Sequence, residues 1–262
     1  MKGTAAVNAT DMTFRVKTAS PPRGGYFTVA ATADSPEFGF HNITFVTGRQ
    51  GERNIHWGDG TVQNFGNAGS PKKVRHVYPR PGVYTIYVPD VVSRIAIAGY
   101  DDSEDTDEER AFFRETAPRM LVRFKYNPID RGPTTMSYFL DVINTFCNCV
   151  NLVEVDFAAG LLSNFSGALT GCASLKTLRF PRYCTAIGGD PFAGCSALEG
   201  EIDLGDTRRI TASGSALPFR DCPLLAKVRM PRRLHEWLVA NAKWYGANPN
   251  LGLPNGTVEI YD

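Results

Sequence analysis

Apolar and polar residues alternate in short runs along the first hundred positions. The runs 12–18 (MTFRVKT), 26–30 (YFTVA), 42–46 (NITFV), 54–57 (NIHW), 74–77 (VRHV) and 83–88 (VYTIYV) switch about every second residue, the period of a half-buried strand. Stretches rich in turn formers, such as PPRGG, GRQG and GNAGSP, separate them. That rhythm predicts a small β-sandwich over 1–99. Within WGDGT, Asp59 and Gly60 suit the positive-φ positions of a tight hairpin, and the Asp59 carboxylate can accept local backbone N–H groups.

The pattern changes in the second half. Four segments align on a cysteine: FCNCVNLVEVDF from Phe146, LTGCASLKTLRFP from Leu169, FAGCSALEGEIDL from Phe192 and FRDCPLLAKVRMP from Phe219. Cys149, Cys172 and Cys195 are 23 residues apart, and Cys222 follows after 27. A bulky apolar residue stands three positions before each, and Leu152, Leu175, Leu198 and Leu225 stand three after. Alternating pairs follow: Val155 and Phe157, Leu178 and Phe180, Ile202 and Leu204, Val228 and Met230. A period in the twenties predicts a solenoid, because such a repeat is too small to bury its own apolar face. The runs 93–99 (SRIAIAG) and 119–124 (RMLVRF) are candidate strands of the same stack. Leu234, Leu238 and Ala242 at helical spacing predict a capping helix, with Trp237 and Trp244 placed to cover an open end. A turn at Asn255-Gly256 then leads to a last strand over 257–261.

Two resemblances rest on these motifs. HWGDGT, HVY and PGVYTIYV, in that order, resemble the Trp/Gly-Asp-Gly, His-x-Tyr and Pro-Gly-x-Tyr motifs of PKD-like domains, an immunoglobulin-like fold. The cysteine segments resemble BspA-like leucine-rich repeats of bacterial surface proteins. Together they imply a mainly β chain with short helices: an Ig-like, PKD-like β-sandwich over 1–99, an acidic linker and helix over 100–118, and a leucine-rich-repeat solenoid with a helix-and-strand cap over 119–262. They also imply a non-enzymatic extracellular or cell-surface protein for binding or adhesion, recognising a protein or glycan. The alternatives are a phage or virion attachment protein and an accessory module of a carbohydrate-active enzyme.

Charge narrows the partners. Twenty-eight Lys and Arg against 27 Asp and Glu leave a net +1, so no global electrostatic grip on nucleic acid is expected. No apolar run is long enough to insert in a membrane, and the first residues, MKGTAAVNATDM, lack the apolar core of a signal peptide. The segment 101–110 (DDSEDTDEER) lacks the alternation of an EF-hand loop and reads as acids at the start of a helix over 108–115.

Candidate chemistry is sparse. All six cysteines fall between 147 and 222. One repeat register places Cys149, Cys172, Cys195 and Cys222 on an inward ridge as reduced thiols, whereas Cys147 and Cys184, off register, are the expected exposed ones. Their spacing does not fit zinc, and neither a metal nor a cofactor is expected. Trp57, Asp59, Gly60, His76, Tyr78, Gly82 and Tyr84 read as turn scaffold, since no nucleophile motif accompanies His76; His41 and His235 also lack a partner in motif spacing. Outward positions on the repeat strands alternate in charge: Glu154 and Asp156, then Arg179, then Glu201 and Asp203, then Lys227 and Arg229. Such a ladder neutralises itself, so binding is expected in the irregular segments instead. Tyr126, Tyr138 and Phe139 in 125–139, and Arg208 and Arg209 in the insertion 207–219, are the candidates. Tyr138 and Phe139 also suit the core of a first coil.

Overall fold

Strands dominate the computed structural model, which describes residues 23–45, 53–66, 73–89, 92–98, 105–127, 140–157, 161–212 and 216–262. The expected strand 12–18, the first part of the acidic segment, Tyr138 and Phe139 lie outside them. The first hundred residues supply β1 (Gly24–Ala31), β2 (Glu37–Phe40), β3 (Asn42–Phe45), β4 (Asn54–His56), β5 (Val62–Asn64), β6 (Val74–Val77), β7 (Gly82–Pro89) and β8 (Val92–Ala96). A helical stretch follows: α1 (Asp107–Ala111), a π turn (Phe112–Thr116) and α2 (Ala117–Met120). Then come β9 (Leu121–Asn127), β10 (Leu140–Asp141), β11 (Glu154–Asp156), β12 (Leu161–Ser166), β13 (Thr177–Arg179), β14 (Tyr183–Gly188), β15 (Gly200–Asp203), β16 (Arg209–Thr211) and β17 (Leu225–Pro231). The described chain ends with α3 (Arg232–Asn241), α4 (Lys243–Ala247) and β18 (Thr257–Tyr261). The fold is mainly β with short helices.

Two large sheets carry the architecture. One has the order β13-β11-β9-β1-β7-β4-β5, the other β16-β14-β12-β10-β8-β3. In the first, β1 is antiparallel to both β7 and β9, so a strand from the first hundred residues bonds directly to one at the start of the second half. In the second, β8 is antiparallel to β3 and parallel to β10. Both sheets therefore continue from one half of the chain into the other. A three-stranded sheet, β15-β17-β18, and the pair β2-β6 complete the arrangement.

The cysteine repeats stack in parallel. Val155 on β11 lies beside Phe124 on β9 and Leu178 on β13. Backbone bonds also tie each repeat to the next outside the strands: Phe146 N–H to Ala168 O (2.9 Å), Leu169 to Pro191 (2.9 Å) and Phe192 to Pro218 (3.2 Å). The residue before each register cysteine is left-handed: Asn148 (φ 58°), Gly171 (77°), Gly194 (77°) and Asp221 (61°). Gly, Asn and Asp tolerate that conformation best, which explains who occupies a corner every repeat must turn. A second series of strands, β12, β14 and β16, was not foreseen, because LLSNFS, YCTAIG and RIT lack a clear period.

One aromatic core runs through both halves. Phe27 meets Phe40 at 5.0 Å and Phe124 at 4.7 Å; Phe124 meets Phe157, which meets Phe165; Phe165 meets Phe192, which stacks on Phe219 at 4.7 Å. Burying such rings removes a large apolar surface from water at each position, the main favourable contribution to folding.

Candidate functional site

The Trp-Gly-Asp-Gly hairpin joins β4 to β5, with Trp57 N–H donating to Thr61 O at 3.0 Å. Asp59 sits at its tip with both oxygens engaged. Oδ1 accepts the Thr61 amide (2.9 Å) and hydroxyl (2.6 Å), and Oδ2 lies 2.7 Å from His76 Nε2 on β6. Burial pushes the Asp59 carboxyl up, but the Thr61 bonds and His76 outweigh it and hold it at about 2. Beneath it, the His76 ring stacks on Trp57 at 4.8 Å, and Tyr78 donates its hydroxyl to Trp57 O at 3.1 Å. Tyr78 stacks on Tyr84 at 4.0 Å, and Tyr84 donates to Arg80 O, with Gly82 beside its ring. Burial drives the Tyr78 hydroxyl well above its ordinary pKa, with Asp59 adding to the effect. Asp59 and His76 thus pin a turn and a strand over an aromatic stack.

The register cysteines are fully buried, and their thiols form a ladder of their own. Cys172 donates to Phe146 O (3.0 Å), Cys195 to Leu169 O (3.3 Å) and Cys222 to Phe192 O (3.0 Å). Each sulfur reaches the carbonyl three residues before the preceding register cysteine. Cys147 is half-buried, donates to Gly167 O, and is pushed up to about 11 by burial. Cys184, expected to be exposed, is instead buried in β14, where burial raises it to about 12. The unforeseen strand series took it inside.

The acidic segment departs from a purely solvated linker. Asp105 is 4 % exposed and pairs with His41 Nε2 (2.9 Å) and with Lys73. His41 therefore has a partner 64 residues away, beyond the reach of any motif. Thr106 and Glu109 form the capping box that starts α1. Among the described residues, no three His, Cys, Asp or Glu side chains converge as metal ligands do.

Among the expected contact residues, Tyr126 lies on β9, not on a loop, and is 4 % exposed with its ring parallel to that of Phe124. Pairing with β1 carries it into the core, so it is a packing residue and not a surface contact. Arg208 and Arg209 are exposed; the Arg208 guanidinium lies 5.2 Å from the centre of the Tyr183 ring, and Arg209 opens β16.

The insertion that carries these arginines also forms one wall of a groove of about 420 Å³. Ile210 and Thr211 line it on that side, and Trp237, Asn241, Lys243 and Trp244 on the other. Helix α3 starts after Pro231, buries Leu234 and Leu238, and stops where Ala242 turns extended (φ −112°, ψ 91°). Helix α4 restarts at once, clasped to α3 by His235 Nδ1 and the Tyr245 hydroxyl at 3.0 Å. Both cap tryptophans pack partly against the core yet border this opening. Position in the cap was legible from the sequence; the shared groove was not, because its walls come from segments far apart along the chain.

The repeat strands carry ion pairs in two separate groups, not the continuous ladder that the sequence suggests. Arg123 pairs with Glu154 (3.5 Å) and Arg179 with Asp156 (3.2 Å), the latter 8 % exposed and not outward. Beyond the end of the first sheet at β13, Arg229 pairs with Glu201 and Asp203 at 3.5 Å. Glu259 on β18 receives both Lys227 (2.9 Å) and Arg229 (3.0 Å). Compared with models of protein families, with curated proteins and with solved structures, the chain matches none.

Proposed function

We propose that the chain is a non-enzymatic binding protein of a cell surface or extracellular space. In this reading a PKD-like, immunoglobulin-like sandwich is fused to a BspA-like leucine-rich solenoid, which recognises a protein or glycan through its irregular segments. The solenoid is supported by the parallel register of the repeats and the bonds linking each to the next. The scaffold role of Asp59 and His76 is supported by the use of both carboxylate oxygens, one within the hairpin and the other on His76 of β6.

The observation that carries the reading is the described part of the insertion 207–219. Its residues 207–212 expose Arg208 and Arg209, the latter on the edge strand β16 in parallel register with β14, and they border a groove. Across the strand face, by contrast, cations already share carboxylates, so a partner there would first have to separate them. Each exposed pair stabilises by only about 0–1 kcal/mol, but the loss would recur at each pair that a partner separated. Labelled protein screened against arrays of glycans and of extracellular proteins should give a saturable partner. Arg208→Ala with Arg209→Ala should weaken it about tenfold with the melting temperature unchanged. Binding indifferent to that pair but abolished by charge reversal at Arg179 and Asp203 would move the site to the strand face.

A further inference from the structure

We infer that the groove between β16 and the α3–α4 cap is a saccharide-binding site, and that Lys243 gives it a preference for sugars bearing a carboxylate. The inference rests on the binding-protein reading above and names a ligand class for its groove.

The chemistry of the walls leads there. Trp237 and Trp244 both face the groove, and neither indole N–H meets an acceptor among the described residues. Asn241 spends its amide N–H on Trp237 O (2.9 Å), which leaves its carbonyl oxygen to accept. Thr211 donates to Ile187 O at 3.3 Å and keeps its lone pairs. A pyranose ring presents a C–H face that packs on an indole and a rim of hydroxyls that need both donors and acceptors. Flat aromatic surface edged by unspent polar groups matches that division, whereas a purely apolar ligand would leave the edges unsatisfied.

Size and charge narrow the class. A volume of about 420 Å³ lies toward the lower part of the range for small-ligand sites. It suits a short stretch of glycan. Lys243 is exposed with no carboxylate partner among the described residues, and no acidic side chain lines the groove. One ammonium facing an otherwise uncharged wall favours a monoanionic sugar such as a uronate.

The test uses the full chain, a galacturonate oligosaccharide, and the same oligosaccharide with its carboxylates methyl-esterified. Binding is followed by calorimetry and by tryptophan fluorescence. The acidic form should bind several-fold more tightly, and Lys243→Gln should erase that difference. Trp244→Ala and Asn241→Ala should each weaken both ligands about tenfold. Circular dichroism checks that the tryptophan variant folds, and Asn241→Ala, at an exposed position, provides the same measurement if it does not. Three results would overturn the inference: no binding of either form by folded protein, binding that survives both variants, or equal affinity for the two forms. Concentration-dependent dimerisation that buries the tryptophans would overturn it too. None of these touches a partner lost through Arg208→Ala and Arg209→Ala, so the broader reading stands or falls separately.

Discussion

Asp59 shows how one side chain can mimic a catalytic residue while serving a turn. Its depressed pKa follows from the Thr61 amide and hydroxyl and from His76, which together overcome the burial that would raise it. A carboxyl whose folded value lies near 2, below an ordinary 3.8, stabilises the fold fully above about pH 4 and loses that contribution as pH falls toward 2. Asp59→Asn should therefore lower stability at neutral pH by about 1–2 kcal/mol. It should also flatten the decline between about pH 4 and 2, read from urea unfolding across that range; an unchanged slope would contradict the assignment. The thiols make a second case at this scale. Cys149, Cys172, Cys184, Cys195 and Cys222 are buried, and their pKa values are raised by that burial. Since the thiolate is the reactive form, native protein at about pH 8 should leave these five unlabelled by a thiol reagent and react slowly, if at all, at Cys147. All six should label after denaturation, and intact mass should reveal no disulfide.

Elements are set by short-range chemistry at their ends. The β4–β5 hairpin uses two glycines, Gly58 (φ 88°) and Gly60 (φ 97°), for different reasons. A Cβ on Gly60 would meet nothing within 4 Å, so Gly60→Ala costs only its conformation, about 1–2 kcal/mol. A Cβ on Gly58 would lie 2.6 Å from Thr85 O, a backbone atom that cannot swing away. Gly58→Ala should therefore cost about 1–3 kcal/mol more than Gly60→Ala, measured by chemical unfolding of the two variants side by side. Repeat corners follow the same logic, with Asn148, Gly171, Gly194 and Asp221 taking the left-handed position. Their place immediately before each cysteine is visible in the aligned sequence. Its conformational meaning appears only once the backbone is traced.

At the scale of the whole molecule, β1 is the pivotal strand, flanked by β7 on one side and β9 on the other. Because both large sheets and the aromatic core pass between the halves, the full chain should unfold in one calorimetric transition. A fragment over 119–262 would bare the edge of β9 and the rings of Phe124 and Tyr126, and should bind a hydrophobic dye and melt without cooperativity. Two separated transitions in the full chain would argue for independent halves. The sequence by itself determined the local features: strands from period-2 alternation, the 23-residue repeat, the inward cysteines, the capping helix and the last strand. Each depends on interactions within a few residues or on a recurring spacing, and both are written along the chain. Tertiary structure alone decided the burial of Tyr126 and Cys184, the Asp105–His41 pair and the groove shared by Thr211, Trp237 and Trp244. Those depend on which distant segments become neighbours, and many pairings are compatible with the same local pattern until the sheets close around one core.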